Sequence, residues 1–274
     1  MWAGLGLTLW FIQVTPAAEV YRWVDTTGHT HYADHSEIGA KRLALAPHPE
    51  RFYRVKRVYD GDTVQLDNGD KVRLLGINTP EIGSPRKSAE PGGDEARTWL
   101  QQRLNGQIIR LEPDVEQRDH YGRLLAYVYT DQGEHINLSL VQQGLAHVDI
   151  YPPNVRYAAA LMEAERQAEK ARLGLWKRPE YAVRELNQTG ESFAHGWQRL
   201  LGRVERIEDT RAYRTLILAG GFQARIARAN QGAFPNLNTY LGQRVELRGW
   251  IYRYRDKPAL LLKHPSAIRT LPQS

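Results

Sequence analysis

Residues 54–81 read RVKRVYDGDTVQLDNGDKVRLLGINTPE, and this stretch decides the fold. Three short runs rich in β-branched residues, 55–58, 63–66 and 71–77, are separated by Asp60-Gly61 and by Asn68-Gly69. Asn-Gly supplies the backbone twist of a tight hairpin, so the runs predict a meander of strands. Working outward, residues 95–104 place Ala96, Trp99, Leu100 and Leu104 on one face of a helix. A turn at 119–122 separates two more strands, the second over 124–129. Asn137 is placed to cap a helix ending near Gly144, and residues 157–172 predict a longer helix closing at Gly174, just before Trp176. Strands first and helices packed late predict an α+β, mainly β domain over residues 52–180, barrel-like in form.

From Leu201 onward the period is again that of strands, at 204–207, 215–218, 222–226, 245–252 and 259–262. Five strands with a helical excursion after the third predict a second small Greek-key barrel of the OB type over 198–272. Residues 190–274 hold fourteen Lys or Arg against six Asp or Glu, a net +8 within a chain of +6. Such a surplus suits a phosphate backbone or another anionic surface, and equally a solubilising face.

At the other end, residues 5–14 form an apolar run too short to span a bilayer, followed by Thr15-Pro16-Ala17-Ala18. This predicts a signal peptide over 1–18 and an exported chain, periplasmic or secreted, whose mature form does not insert in a membrane. No Lys or Arg precedes Leu5, which leaves a terminal strand as the alternative. Residues 19–46 predict a small β-hairpin domain, with Tyr21, Trp23 and Val24 before a turn at 25–28 and His31-Tyr32 after it. Its pattern resembles a small domain of unknown function found at the start of proteobacterial exported proteins. His29, His31 and His35 lack ligand spacing and are read as structural or solvated. The chain has no cysteine, which excludes disulfides, thiol chemistry and cysteine-zinc sites.

The chemistry concentrates in Asp60-Gly61-Asp62-Thr63, Arg73 to Glu81, and Asp119-His120-Tyr121-Gly122-Arg123. Cleaving a phosphodiester needs a hard cation, a base to activate water and fixed positive charge. Asp62 offers a carboxylate, Asn78 an amide oxygen and Thr79 a backbone carbonyl to a cation that prefers oxygen. Arg73 and Arg123 carry permanent charge in a planar fork that suits phosphate. Glu81, after the rigid Pro80, is the candidate base. Singly these residues could make turns and surface ion pairs, and Asp60 is read as turn-forming or as support for Asp62.

Together the three motifs resemble the thermonuclease (staphylococcal nuclease-like) family over roughly residues 54–176. The 93–96 turn, the 141–146 segment and Gly174-Leu175-Trp176 match as well. The resemblance implies an OB barrel with helices, a calcium-assisted endonuclease acting on DNA and RNA, and 3′-phosphate products. It implies catalytic roles for Arg73, Glu81 and Arg123, and calcium binding by Asp62, Asn78 and Thr79. His120, Tyr121 and Tyr151 are expected to contact substrate. The family usually has aspartate at Asn78 and often lysine at His120, and loss of a carboxylate lowers calcium affinity. A nucleic-acid-binding protein with weakened catalysis, gripping with two barrels, is the alternative, and an envelope scaffold a third reading.

Overall fold

The computed structural model describes residues 20–24, 30–33, 41–43, 51–83, 88–186 and 196–271. The chain forms two compact units, Met1–Glu50 and Arg51–Ser274. The first holds β1 (Val20–Val24), β2 (Thr30–Ala33) and β3 (Lys41–Leu43) in an antiparallel sheet of order β2-β1-β3. The expected hairpin is β1–β2, with Trp23 opposite His31, and β3 adds a third strand on the free edge of β1. The expected leader at 1–18, the 25–28 turn, His29 and His35 lie outside the described residues.

The second unit begins with a closed barrel of β4 (Arg51–Val58), β5 (Thr63–Leu66), β6 (Lys71–Leu74), β8 (Ile108–Arg118) and β9 (Leu124–Thr130), in the order β4-β5-β6-β9-β8. Strands β6 and β9 run parallel, as the order requires. Val55 and Val58 both enter the core although three residues apart, which a strict two-residue alternation forbids. A bulge between Val55 and Arg57 resets the alternation. Helix α1 (Gly93–Leu104) closes one side with Ala96, Leu100 and Leu104, while Trp99 is half-buried under the Arg103 guanidinium. Helices α2 (Ile136–Gln142) and α3 (Ala158–Lys170) cover another.

Two expectations change here. The run at 71–77 is not one strand: it breaks at Gly76, whose φ is 76°. A Cβ there would lie 2.5 Å from Leu161 Cδ1 of α3, so only glycine allows both the turn and the packing. The chain leaves the barrel, and β7 (Ile77–Asn78) pairs instead with β10 (His147–Val148). Asn137 is not a cap, since α2 is capped at His135. It is buried, accepting from the Val128 amide at 2.9 Å and donating to the Leu75 carbonyl at 2.9 Å. It thereby satisfies backbone groups that the broken strand leaves unpaired.

The second barrel comprises β12 (Gly196–Asp209), β13 (Tyr213–Leu218), β14 (Gln223–Ala227), β15 (Arg244–Tyr254) and β16 (Lys257–Leu261), flanked by β11 (Val183–Glu185) and β17 (Ile268–Thr270). Pairing of β12 with β15 closes it, and β14 with β16 is parallel. Both barrels therefore share the 1-2-3-5-4 order. Strand β12 starts at Gly196 rather than near 204 because its first half is buried on both faces. Leu200 enters the barrel core while Trp197 and Arg199 pack on the first barrel, so no alternation marks it.

That packing is partly aromatic, with Trp176 and Trp197 ring centroids 6.2 Å apart. Its centre is ionic. Arg248 reaches Glu165 at 3.0 Å, Glu169 at 2.8 Å and Glu246 at 2.6 Å. Arg269 meets Glu165 at 3.0 Å and Glu169 at 2.8 Å, and Arg199 meets Glu246 at 2.8 Å and also Glu169. Burial opposes the charge on Glu169, yet these arginines prevail and hold its carboxyl down at about 2. A depressed carboxylate stabilises the fold above its ordinary value near 4.5 and loses that contribution as pH falls toward 2. Arg248→Ala leaves Glu165, 2% exposed, short of one partner and is expected to cost about 3–5 kcal/mol in chemical denaturation. It should also flatten the stability loss below pH 4.5. A cost under about 1 kcal/mol would show that the network is not what joins the barrels.

Candidate active site

Strand pairing brings the three motifs together. Thr63 on β5 lies opposite Arg73 on β6, and Arg73 lies opposite Leu125 on β9, two residues beyond Arg123. Asp62, just before β5, is only 5% exposed. Its Oδ2 accepts from the Thr79 amide at 2.9 Å and the Thr79 hydroxyl at 3.3 Å, and pairs with Arg73 at 3.1 Å. Its Oδ1 accepts from Thr63 Oγ1 at 3.1 Å. Arg73 then donates to Asn78 Oδ1 at 2.9 Å and to the Leu74 carbonyl at 2.7 Å, and Asn78 Nδ2 donates to the Thr79 carbonyl at 3.0 Å. Asp62, Arg73, Asn78 and Thr79 thus form one hydrogen-bonded cluster on the barrel rim.

Gly61 sets the turn that carries this cluster. A Cβ there would fall 2.6 Å from Ala96 Cβ and 2.7 Å from Thr79 Cγ2, so the Asp60–Asp62 turn is wedged between α1 and Thr79. Asp60 accepts from the Asp62 amide at 3.1 Å. Burial first, then the neighbouring Asp62 charge, raise its carboxyl to about 6. Two carboxylates crowded in this way are an electrostatic conflict that a cation relieves.

Arg123 is held by Asp119. Its Nε donates to Asp119 Oδ2 at 2.7 Å, and Asp119 Oδ1 accepts from the Tyr121 and Arg123 amides at 3.0 Å each. Burial alone would raise the Asp119 carboxyl, but these donors hold it below the usual range. Tyr121, 74% exposed, presents its ring 5.5 Å from the Arg123 guanidinium and 3.7 Å from the His120 ring. Glu81 stands apart: its carboxylate is exposed and forms no ion pair among the described residues. Its backbone is nonetheless fixed, the amide donating to Glu90 Oε2 at 3.0 Å and the carbonyl accepting from the Glu90 amide at 2.8 Å. Tyr151 is exposed on the segment after β10, with Lys263 of the second barrel 3.4 Å from its ring centroid.

Sequence reasoning left Asp119 without a role and missed His147 and Lys263. His147 is opposite Asn78 in the β10–β7 pair, fully buried, its ring 4.4 Å from Trp197. Burial, then Arg73 and Arg248, push its pKa down to about 3, so it is a neutral packing group behind the site.

A barrel rim carrying a buried carboxylate, an oxygen-rich neighbourhood and two oriented guanidinium groups suits the hydrolysis of phosphodiester bonds, the chemistry of a nuclease. The comparisons agree. Residues 71–178 match the staphylococcal nuclease homologue family, and residues 7–51 match a domain of unknown function, DUF4124. The chain is 41% identical over 129 residues to a thermonuclease of Staphylococcus intermedius, covering 46% of this chain and 76% of that one. It is 37% identical over 139 residues to a thermonuclease of Staphylococcus hyicus, covering 50% and 82%. With endonuclease YncB of Bacillus subtilis (strain 168) it shares 38% identity over 132 residues, covering 46% and 62%. The chain belongs to the staphylococcal nuclease family.

Asp119→Asn should keep the fold and loosen the Nε contact that orients the Arg123 guanidinium, and an arginine that meets substrate would then lower cleavage by about 10²-fold when displaced. Turnover within twofold of the parent, with unchanged circular dichroism, would show that Asp119 does not position Arg123.

Proposed function

We propose that the chain is a calcium-assisted endonuclease that cleaves DNA and RNA with little sequence preference and leaves 3′-phosphate ends. The observation that carries this reading is the cluster of Asp62, Arg73, Asn78 and Thr79 on the same rim as Arg123 and the backbone-anchored Glu81. The donor chemistry suits a hard cation: the Asp62 carboxylate, the Asn78 amide oxygen and the Thr79 carbonyl would hold it, with Asp60 behind, once Arg73 turns from Asp62 and Asn78 to the phosphate and Asn78 Nδ2 releases the Thr79 carbonyl. Calcium bound there would neutralise phosphate oxygens as charge builds in the transition state. Arg73 and Arg123 would grip the phosphate from two sides, their charge fixed at any working pH. Glu81, exposed on a pinned backbone, would take the proton of the attacking water. His120, Tyr121 and Tyr151 would contact the nucleotide, the tyrosines offering ring faces to base or sugar. Export, read from residues 1–18, would place the protein where calcium is plentiful.

The test is cleavage of single-stranded DNA and of RNA with calcium or with a chelator, followed by end-group analysis. Glu81→Gln should lower the rate by about 10²–10⁴-fold with the fold intact. An unchanged rate removes Glu81 from the chemistry, and full activity in chelator removes the metal.

Asn78 marks a sharper test. Its amide serves two partners, Arg73 and the Thr79 carbonyl, and adds no negative charge. Asn78→Asp adds one at a calcium ligand, so half-maximal activity should come at roughly tenfold lower calcium, about 1.4 kcal/mol. Identical calcium titrations of the two proteins would take Asn78 out of the metal site.

A further inference from the structure

Arg225 of β14 is an anomaly. Its neighbours Ala224 and Ile226 enter the second barrel's core, so Arg225 lies on the outer face, yet it is only 8% exposed. The Tyr213 and Tyr254 ring centroids lie 4.0 and 3.5 Å from its guanidinium carbon, and its Nη1 donates to the Tyr252 hydroxyl at 3.2 Å. No carboxylate pairs with it among the described residues, whereas Arg199 and Arg248 each meet two or more. A buried cation without a counter-charge is costly, and ring faces offset only part of that cost. The remaining N–H groups are not sealed from solvent, so an anion can supply the missing charge in the plane of the fork.

The surroundings indicate what kind of anion. Tyr254 also carries the Arg255 guanidinium 5.4 Å from its ring, at the turn joining β15 and β16. Arg225 and Tyr213 lie on the second and third strands of an OB-type order, the face such barrels use for oligonucleotides. Phosphate on guanidinium with bases on flanking rings is how unpaired strands are held, whereas in a duplex the base faces are covered by stacking on neighbouring pairs. The face is also continuous with the first barrel. Tyr252 lines a cleft of about 200 Å³ together with Trp250, Lys263 and the nuclease residues Asp149 and Ile150. Lys263 in turn sits over Tyr151. Cations and rings therefore alternate from Tyr151 through Lys263 and Tyr252 to Arg225.

We propose that the outer face of the second barrel, centred on Arg225 between Tyr213 and Tyr254, binds single-stranded nucleic acid and holds the substrate strand beyond the bond being cut. The ligand class rests on the nuclease reading of the first barrel. The face then makes affinity depend on strand length: a substrate of two nucleotides stays at the first barrel, and one of twenty reaches Arg225.

The test uses the full chain with Arg225→Met, which keeps the stem's packing, and separately with Tyr254→Ala. Anisotropy of a fluorescent 20-nucleotide single strand in chelator should show binding about tenfold weaker in each. For Arg225→Met the slope of log K against log salt should shrink by about 0.7. With calcium, KM for the 20-mer should rise by a similar factor with kcat unchanged, and hydrolysis of a dinucleotide nitrophenyl ester should not change. Parental affinity for the 20-mer in both variants overturns the proposal. So does an equal loss on the dinucleotide ester, which is a general defect, or an equal loss for heparin, which makes the face a site for any polyanion. Parental chain that binds the 20-mer but cleaves neither substrate refutes the nuclease reading and leaves the face standing. A chain that cleaves the ester while both variants bind normally does the reverse.

Discussion

The Asp62 carboxylate is taken out of water, so donors must meet it, and those donors are what assemble the site. The Thr79 amide and hydroxyl, the Thr63 hydroxyl and Arg73 all converge on it. Thr79 is available only because the chain leaves the barrel at Gly76, where a φ of 76° favours glycine and Leu161 of α3 packs against the space a side chain would take. One buried charge thus ties the turn after β4, the end of β6 and the third helix to a single geometry. Asn78, the one departure in this cluster, accepts from Arg73 as a carboxylate would, donates to the Thr79 carbonyl as a carboxylate could not, and gives up a charge.

Four arginines of the basic C-terminal part are buried or face the first barrel, and they differ in how their charge is met. Arg199, Arg248 and Arg269 point inward and are neutralised by Glu165, Glu169 and Glu246. They join the barrels and are not available to a ligand. Arg225 is buried without such neutralisation among the described residues, which sets it apart from Arg199 and Arg248. Charge counted along a sequence cannot separate these uses, because the difference lies in which side of a strand faces the neighbouring barrel.

What the sequence displayed was local. The Asn68-Gly69 turn, the apolar face of α1 and the 60–63, 73–81 and 119–123 motifs act through near neighbours or fixed spacing, and both barrels follow from strand runs of the expected number. The bridge made by Asn137 is not legible in sequence, because a helix cap and a buried bridge look alike until Val128 and Leu75 are brought beside it. The start of β12 is hidden in the sequence because a strand covered on both faces loses its alternation. His147 and Lys263 gave no signal, since their significance comes from Trp197 and Tyr151, each contributed by the other barrel.

The joint between the barrels has a thermal consequence. With no cysteine in the chain, nothing covalent beyond the backbone holds them together, and the lock is a mesh of carboxylates and guanidinium groups kept largely dry. Hydration of charged groups becomes less favourable with heat, so the penalty for keeping that mesh out of water falls as temperature rises, while apolar stabilisation levels off. The mesh therefore loses less of its strength on warming than the two cores do. Heat should reach the cores first, and the barrels should melt as one cooperative body rather than part beforehand.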